Sequence, residues 1–264
     1  MKNKKILLVG GSGKVGSFIT PYVLEKGYDV RVMDLSTPEH DVEFIKGSVL
    51  NPEDISKAIL DIDSFIWVVM KSPQGGSVTD QDLTVIKNNY EVNNLGLHNF
   101  LWLSQGVGLL SGIYTSTMSV HYRERDYFNN EYDVPLDTPS AYGLSKGFGE
   151  NICKYFSNWF DMNIFAFRIT GPRNRDEWIE ERKIPRPKIN HYKRLYVTDE
   201  EDLASAYING LERLNIGKGW FQPIFIAGDE NQQSHNLSTA KRILNWRPET
   251  HLSLIHISEP TRPY

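Results

Sequence analysis

The segment Tyr142-Gly143-Leu144-Ser145-Lys146 sets a phenol and an ammonium four residues apart, one turn apart on one face of a helix. A tyrosine with an ordinary pKa near 10 is a poor base at neutral pH, and a neighbouring ammonium favours its phenolate. The pair suits proton transfer at a substrate oxygen. A second constellation is Gly10-Gly11-Ser12-Gly13-Lys14-Val15-Gly16, directly after an apolar run and before a helical pattern. Gly10 permits a tight turn, Gly13 lets the backbone approach a pyrophosphate, and Gly16 allows close packing of helix on strand. The next apolar run ends at Asp34, where a carboxylate can accept both ribose hydroxyls of a dinucleotide. Asp34 repels a 2′-phosphate and favours NAD over NADP, whereas Lys14 is a cation able to reach such a phosphate, so NADP stays open.

Other charged groups carry less. Arg173, Arg175, Lys193 and Arg194 lie in one stretch, and Arg173 or Arg194 suits a bidentate clamp on a substrate carboxylate; each also reads as a solvated loop charge. Asp199-Glu200-Glu201-Asp202 lacks metal-ligand spacing and reads as an acidic helix start. The seven histidines are scattered and form no cluster with cysteine or carboxylates, so no metal is expected. The single cysteine, Cys153, excludes an internal disulfide, fits a reducing cytoplasm and reads as a packing residue beside Ile152 and Phe156.

The elements that position these groups alternate between apolar β-branched runs and longer helical patterns, as in βαβ units with a parallel sheet. Strands are expected at Ile6 to Val9, Val30 to Met33, Glu43 to Lys46, Ser64 to Met70, Ser111 to Ser116, Asn163 to Arg168 and Phe221 to Ala227. Helices are expected at Val15 to Lys26 (closed by Gly27), about Pro52 to Leu60, Asp80 to Gln105, Ala141 to Phe160 and Asp202 to Leu214. The charged, proline-rich stretch from Arg173 to Lys193 reads as irregular.

The 264 residues, 40% hydrophobic and 23% charged, suffice for one large core or two small ones. A net charge of -4 and the lack of a basic stripe argue against a nucleic-acid partner. No apolar stretch approaches bilayer length, and the run after Lys5 stops at Gly10 without a cleavage pattern, so neither a membrane span nor a signal peptide is expected. Leu252 to Arg262 resembles the translated read-through of a transposase-type sequencing adapter. Residues 252–264 are therefore expected to be a non-native, poorly packed tail, with the natural chain continuing differently beyond His251.

The glycine loop, Tyr142 with Lys146, and Tyr196-Val197-Thr198 leading into Asp202-Leu203-Ala204 resemble the extended short-chain dehydrogenase/reductase superfamily, in its NAD-dependent epimerase/dehydratase branch. The resemblance runs from about Lys5 to Pro248. It implies a hydroxyl residue after the fifth strand that hydrogen bonds the reacting oxygen: Thr117 in the best register, Ser116 after a one-residue slip. It implies that Asn93 helps order the site around Lys146. Cofactor contacts are implied for Gly10, Gly13, Lys14, Val15, Gly16, Asp34, Ser48, Val49, Val68, Met70, Asn93, Thr115, Tyr142, Lys146 and Ile169. Two of these depart from the family pattern, since Met70 is bulky and Ser48 replaces an aspartate near the adenine.

Leu144 to Asn151 and Phe167 to Pro172 are most similar to uronate dehydrogenases and related sugar oxidoreductases. Only about two dozen residues separate Gly171 from Leu195, too few for the usual nucleotide-gripping lobe of nucleotide-sugar enzymes, so a small free substrate fits better. Met118 and Ser119 stand where uronate dehydrogenases place Asn and His on the sugar acid. With Ser116, Arg173 and Arg194 they are the substrate-side candidates.

The expectation is an α/β protein with a Rossmann-type, doubly wound parallel sheet and a small C-terminal substrate lobe. A dinucleotide-binding core is drawn over residues 1–170, with the lobe over 171–251 interleaved with the last core elements. The expected reaction is hydride transfer from a sugar-like secondary alcohol or hemiacetal to NAD. Tyr142 is the base, Thr117 hydrogen bonds the same oxygen, and Lys146 lowers the Tyr142 pKa and holds the nicotinamide ribose. Nucleotide-sugar epimerisation or dehydration is one alternative, and a non-catalytic dinucleotide sensor is another. The resemblance also implies a homodimer through the Tyr142 helix and the helix at Asp80 to Gln105.

Overall fold

In a computed structural model, residues 3–71, 81–121, 130–132, 135–183, 196–214, 217–232 and 235–249 are described. Lys193, Arg194 and the adapter-like tail lie outside them.

The first strand, β1 (Lys5–Val9), leads into helix α1 (Lys14–Glu25) and then β2 (Asp29–Asp34), β3 (Glu43–Lys46), α2 (Pro52–Ala58) and β4 (Ser64–Trp67). Next come α3 (Leu83–Tyr90), a π-helical turn (Glu91–Gly96), α4 (Leu97–Gly106), β5 (Ser111–Thr117), α5 (Ala141–Phe160) and β6 (Asn163–Ile169). The chain continues through β7 (Pro172–Arg173), α6 (Arg175–Lys183), β8 (Thr198–Asp199), α7 (Glu200–Arg213), β9 (Phe221–Ile226) and α8 (Ser238–Leu244). Seven strands form a parallel sheet in the order β3-β2-β1-β4-β5-β6-β9, and β7 pairs with β8 in a separate short ribbon. Strand order reverses direction between β1 and β4, so their C-terminal ends open the crevice in which such sheets take ligands.

Both faces of the sheet are covered. One core gathers Leu8, Val32, Ile66, Ile113 and Phe167 with α1, α7 and α8; the other gathers Leu7, Phe65, Trp67, Tyr114 and Ala166 with α2, α4 and α5. This explains the near-continuous apolar runs in the central strands.

Three elements differ from the expectation. β4 ends at Trp67 rather than Met70. Gly10 turns β1 away with φ +85°, and a Cβ there would lie 2.8 Å from the Val69 nitrogen, so the chain after Val68 crosses over the turn instead of extending the ladder. The single helix expected from Asp80 starts at Leu83, capped by the Asp82 side chain on the Val85 N–H, and is widened by the π-helical turn around Asn93. Within the stretch expected to be irregular, α6 forms because Arg, Glu and Lys are good helix formers and Trp178 supplies a fully buried anchor.

Candidate active site

The dinucleotide loop is shaped by missing side chains. A Cβ on Gly16 would stand 2.2 Å from the Gly11 carbonyl oxygen, whereas one on Gly13 would meet only the Gly10 oxygen at 3.4 Å, leaving the space above the helix N-terminus open. Gly13 caps α1 with no side-chain hydrogen bond, so the first N–H groups of the helix are not taken by a cap. That cradle fits a pyrophosphate. Asp34, at the end of β2, accepts the Ser12 N–H at 3.0 Å on one oxygen and the Ser36 N–H at 3.2 Å on the other, which fixes the carboxylate beside the loop. Lys14 ion-pairs with Glu177 of α6 at 3.0 Å. Gly16→Ala is expected to weaken NADH binding at least ten-fold and to lower stability by about 1–3 kcal/mol, since backbone must move to admit the methyl group; a fluorescence titration and a urea melt measure the two effects.

Ser48 and Val49 follow β3. The Ser48 N–H donates to Asp54 at 3.0 Å and its hydroxyl accepts the Leu50 N–H at 3.2 Å, so this serine closes a turn at the position of the family's aspartate. Val49 packs on Gly96, where a Cβ would come within 2.7 Å of it.

Tyr142 enters α5 in the first turn, held by the Ser140 hydroxyl capping the Gly143 N–H at 3.0 Å. Gly143 is required here: a Cβ would lie 2.1 Å from the Ser119 carbonyl oxygen, on the turn that follows β5. Burial pushes Tyr142 up to about 12, and a hydrogen bond with the Thr117 side chain opposes that rise. The Tyr142 hydroxyl also points at the Met70 sulfur, 3.4 Å away. Asn93 braces the pair from behind. Its side chain donates to the Ser145 hydroxyl at 2.9 Å and accepts the Lys71 N–H at 3.0 Å, while Ser145 donates to the Tyr142 carbonyl at 2.8 Å. π-helical turns are frequent at functional sites, and this one aims Asn93 across to α5.

Lys146 is buried with its ammonium 4.4 Å above the Tyr114 ring and 3.5 Å from the Val69 carbonyl. Loss of hydration pulls it down to about 7, against the favourable field of Cys153 and Glu150. The groups that shift Tyr142 are therefore its own burial and Thr117, and the ammonium faces Tyr114. Because the folded lysine releases its proton near 7 and the unfolded one at 10.5, the unfolded chain holds more protons between those values and stability rises with pH across that window. Lys146→Met is expected to remove up to about 1.4 kcal/mol per pH unit of that slope, measured by urea melts from pH 6 to 10.

The remaining predicted residues divide by face. Thr115 places its hydroxyl 2.6 Å from that of Tyr207 on α7, and Ser116 donates to Glu150 on α5 at 2.5 Å. Thr117 is thus the hydroxyl beside Tyr142, and Ser116 serves a buried network. In it Arg168 grips Glu150 through two bonds of 2.9 and 2.8 Å and donates to the Glu131 carbonyl at 3.1 Å. Met118 is buried in the core on the α7 side, Val15 packs against that same core, and Ile169 ends β6 beside Thr117. Val68 carries the last ladder bond of β4, 2.9 Å to the Val9 carbonyl. Arg173 is engaged by Glu181 and by the Pro172 carbonyl. Sequence reasoning did not single out Ser145, Tyr114, Glu150 or Arg168. An arginine inside the apolar strand Asn163–Ile169 was the available signal, since a buried guanidinium demands a partner. Among the described residues no group of three or more His, Cys, Asp or Glu is placed to hold a metal, and no helix is long and apolar enough to cross a membrane.

A parallel α/β sheet with a dinucleotide cradle at its switch point and a Tyr-Lys-Thr cluster beside it defines a nucleotide-cofactor enzyme fold. The sequence model of the NAD dependent epimerase/dehydratase family matches residues 6–198, most of the chain. The chain belongs to that family, a set of NAD-dependent enzymes of the extended short-chain dehydrogenase/reductase type. A 3-beta-hydroxysteroid dehydrogenase of Mycolicibacterium neoaurum is 28% identical over 78% of this chain and 58% of its own length. A putative UDP-glucose 4-epimerase of Methanocaldococcus jannaschii is 25% identical over 63% of this chain and 55% of its own. The chain thus spans somewhat over half the length of these curated relatives. A short-chain dehydrogenase/reductase superfamily protein from Agrobacterium tumefaciens, solved with bound NAD, superposes with a TM-score of 0.79 at 15% identity, covering 96% of this chain and 95% of that one. A mutated uronate dehydrogenase superposes at 0.73 with 19% identity, covering 97% and 85%. At these identities the two structures share the fold.

Proposed function

We propose that this protein oxidises a secondary alcohol or hemiacetal carbon of a small sugar or sugar acid, with Tyr142 as general base. The observation that supports this is the hydrogen bond between the Thr117 and Tyr142 side chains beside the dinucleotide cradle. Both hydroxyls can then converge on one substrate oxygen: Tyr142 takes its proton and Thr117 hydrogen bonds it. Lys146 holds the nicotinamide ribose. NAD, when bound, supplies the hydride acceptor. The stretch between Gly171 and Leu195, about two dozen residues, is short for a nucleotide-gripping lobe and favours a small free substrate. A screen of sugars, sugar acids and lactols for NADH absorbance tests the reading, and isomerised product without NADH would replace it with epimerisation.

A second reading is favoured by Met70. Its thioether, rather than a polar group, stands against the Tyr142 hydroxyl, and one relative is a hydroxysteroid dehydrogenase. An apolar ring alcohol belongs in the same screen. NADH formation from such alcohols alone would select it.

A cytoplasmic homodimer completes the proposal. Burial pushes the lone Cys153 thiol up, so it is inert packing. Phe148, Tyr155 and Trp159 of α5 and Trp102 of α4 are exposed together on neighbouring helices, Trp159 at 74%. A patch of aromatics of this kind suits an isologous interface. A dimeric mass by light scattering is expected, falling to the monomer in Trp159→Glu.

A further inference from the structure

Lys14 is the only cation in the loop from Gly10 to Gly16, and its partner comes from far along the chain. Its ammonium lies 3.0 Å from the Glu177 carboxylate and 5.5 Å from the centroid of the Phe18 ring, one turn further along α1. Ser12, two residues earlier in the same loop, donates its backbone N–H to Asp34, the carboxylate expected to take the ribose hydroxyls, so Lys14 and Asp34 are joined through one loop. Glu177 is itself well placed: its N–H donates to the Asn174 side chain at 2.8 Å in the first turn of α6, next to the buried Trp178. The other cation acting on it, Arg173, is taken up by Glu181 and the Pro172 carbonyl.

We propose that Glu177 is a cofactor-specificity residue, which neutralises Lys14 and so excludes dinucleotides bearing a 2′-phosphate. Without Glu177, Lys14 would offer the adenosine end a free positive charge able to offset Asp34. With it, an added phosphate of nearly two negative charges meets two carboxylates and a cation already paired. The hydrogen bond from Lys14 holds the Glu177 carboxyl below its usual range, so it stays ionised at neutral pH. Asp34 alone was the residue from which the sequence favoured NAD; α6 supplies a second discriminator through the fold.

The test is direct binding of NADH and NADPH, followed by the fluorescence of the reduced nicotinamide, without substrate. Because the Lys14–Glu177 pair is exposed, a modest effect is expected: Glu177→Gln should raise NADPH affinity about three- to five-fold and leave NADH affinity within about two-fold. The gain should vanish when Lys14→Gln is added, a double-mutant cycle that isolates the pair. Unchanged NADPH affinity, equal gains for both nucleotides, or a gain that persists without Lys14 would each overturn the proposal. None of these outcomes depends on which alcohol is the substrate.

Discussion

Tyr142→Phe is expected to lower kcat by about 10²–10⁴-fold while NADH still binds, because the change deletes one hydroxyl and leaves the dinucleotide cradle intact. The hydroxyl is the atom that hydrogen bonds with Thr117 and faces Met70. Its pKa, pushed up to about 12, means that the phenolate fraction of the free enzyme grows with pH throughout the neutral and alkaline range. kcat/KM should therefore rise with pH in the parent and lose that rise in Tyr142→Phe. Thr117→Val should lower the rate in the same direction, since the bond that opposes the upward shift is lost. Turnover by Tyr142→Phe at the parent rate would refute the assignment of the base, and an unchanged biological effect without turnover would point to a dinucleotide sensor.

Arg168→Met is expected to cost about 3–5 kcal/mol of stability, the usual penalty for stranding one charge of a buried pair. Glu150 and Arg168 are both nearly inaccessible, and the carboxylate also accepts the Ser116 hydroxyl. For a chain of this size that loss corresponds to a fall in melting temperature of roughly 10 °C. Replacing Glu150 with Leu as well should recover a large part, because no charge is then left without a partner. A single-variant loss below about 1 kcal/mol in urea melts would show that water or another group reaches Glu150, against the burial described above.

How much of this was legible beforehand follows from what local patterns record. Strand and helix periodicity, glycine spacing and the Tyr-Lys interval are short-range features, so the sheet elements, the dinucleotide loop and the start of α5 were readable to within a few residues. β4 was read three residues too long because Val68 to Met70 is as apolar as the strand itself; only the approach of Gly10 to Val69 shows where pairing stops. The π-helical turn escaped notice because one extra residue per turn leaves no strong trace in a helical pattern. The helix in α6 was missed because its charge and neighbouring prolines masked a single apolar anchor, Trp178.

The sequence by itself determined the family, the order of elements along the chain, the dinucleotide loop with Asp34, and Tyr142 with Lys146 on one helix face. Tertiary structure alone decided which hydroxyl stands beside Tyr142, that the Lys146 ammonium rests over the Tyr114 ring, and that Glu177 pairs with Lys14. The physical reason is separation. The first set depends on local periodicity and on loop-to-strand spacings no longer than the 22 residues from Ser12 to Asp34, whereas Lys14 and Glu177 are 163 residues apart and Thr117 reaches Tyr142 only because β5 and α5 pack side by side. The charge state of Lys146, too, depends on burial by groups from several elements, and no local pattern encodes that.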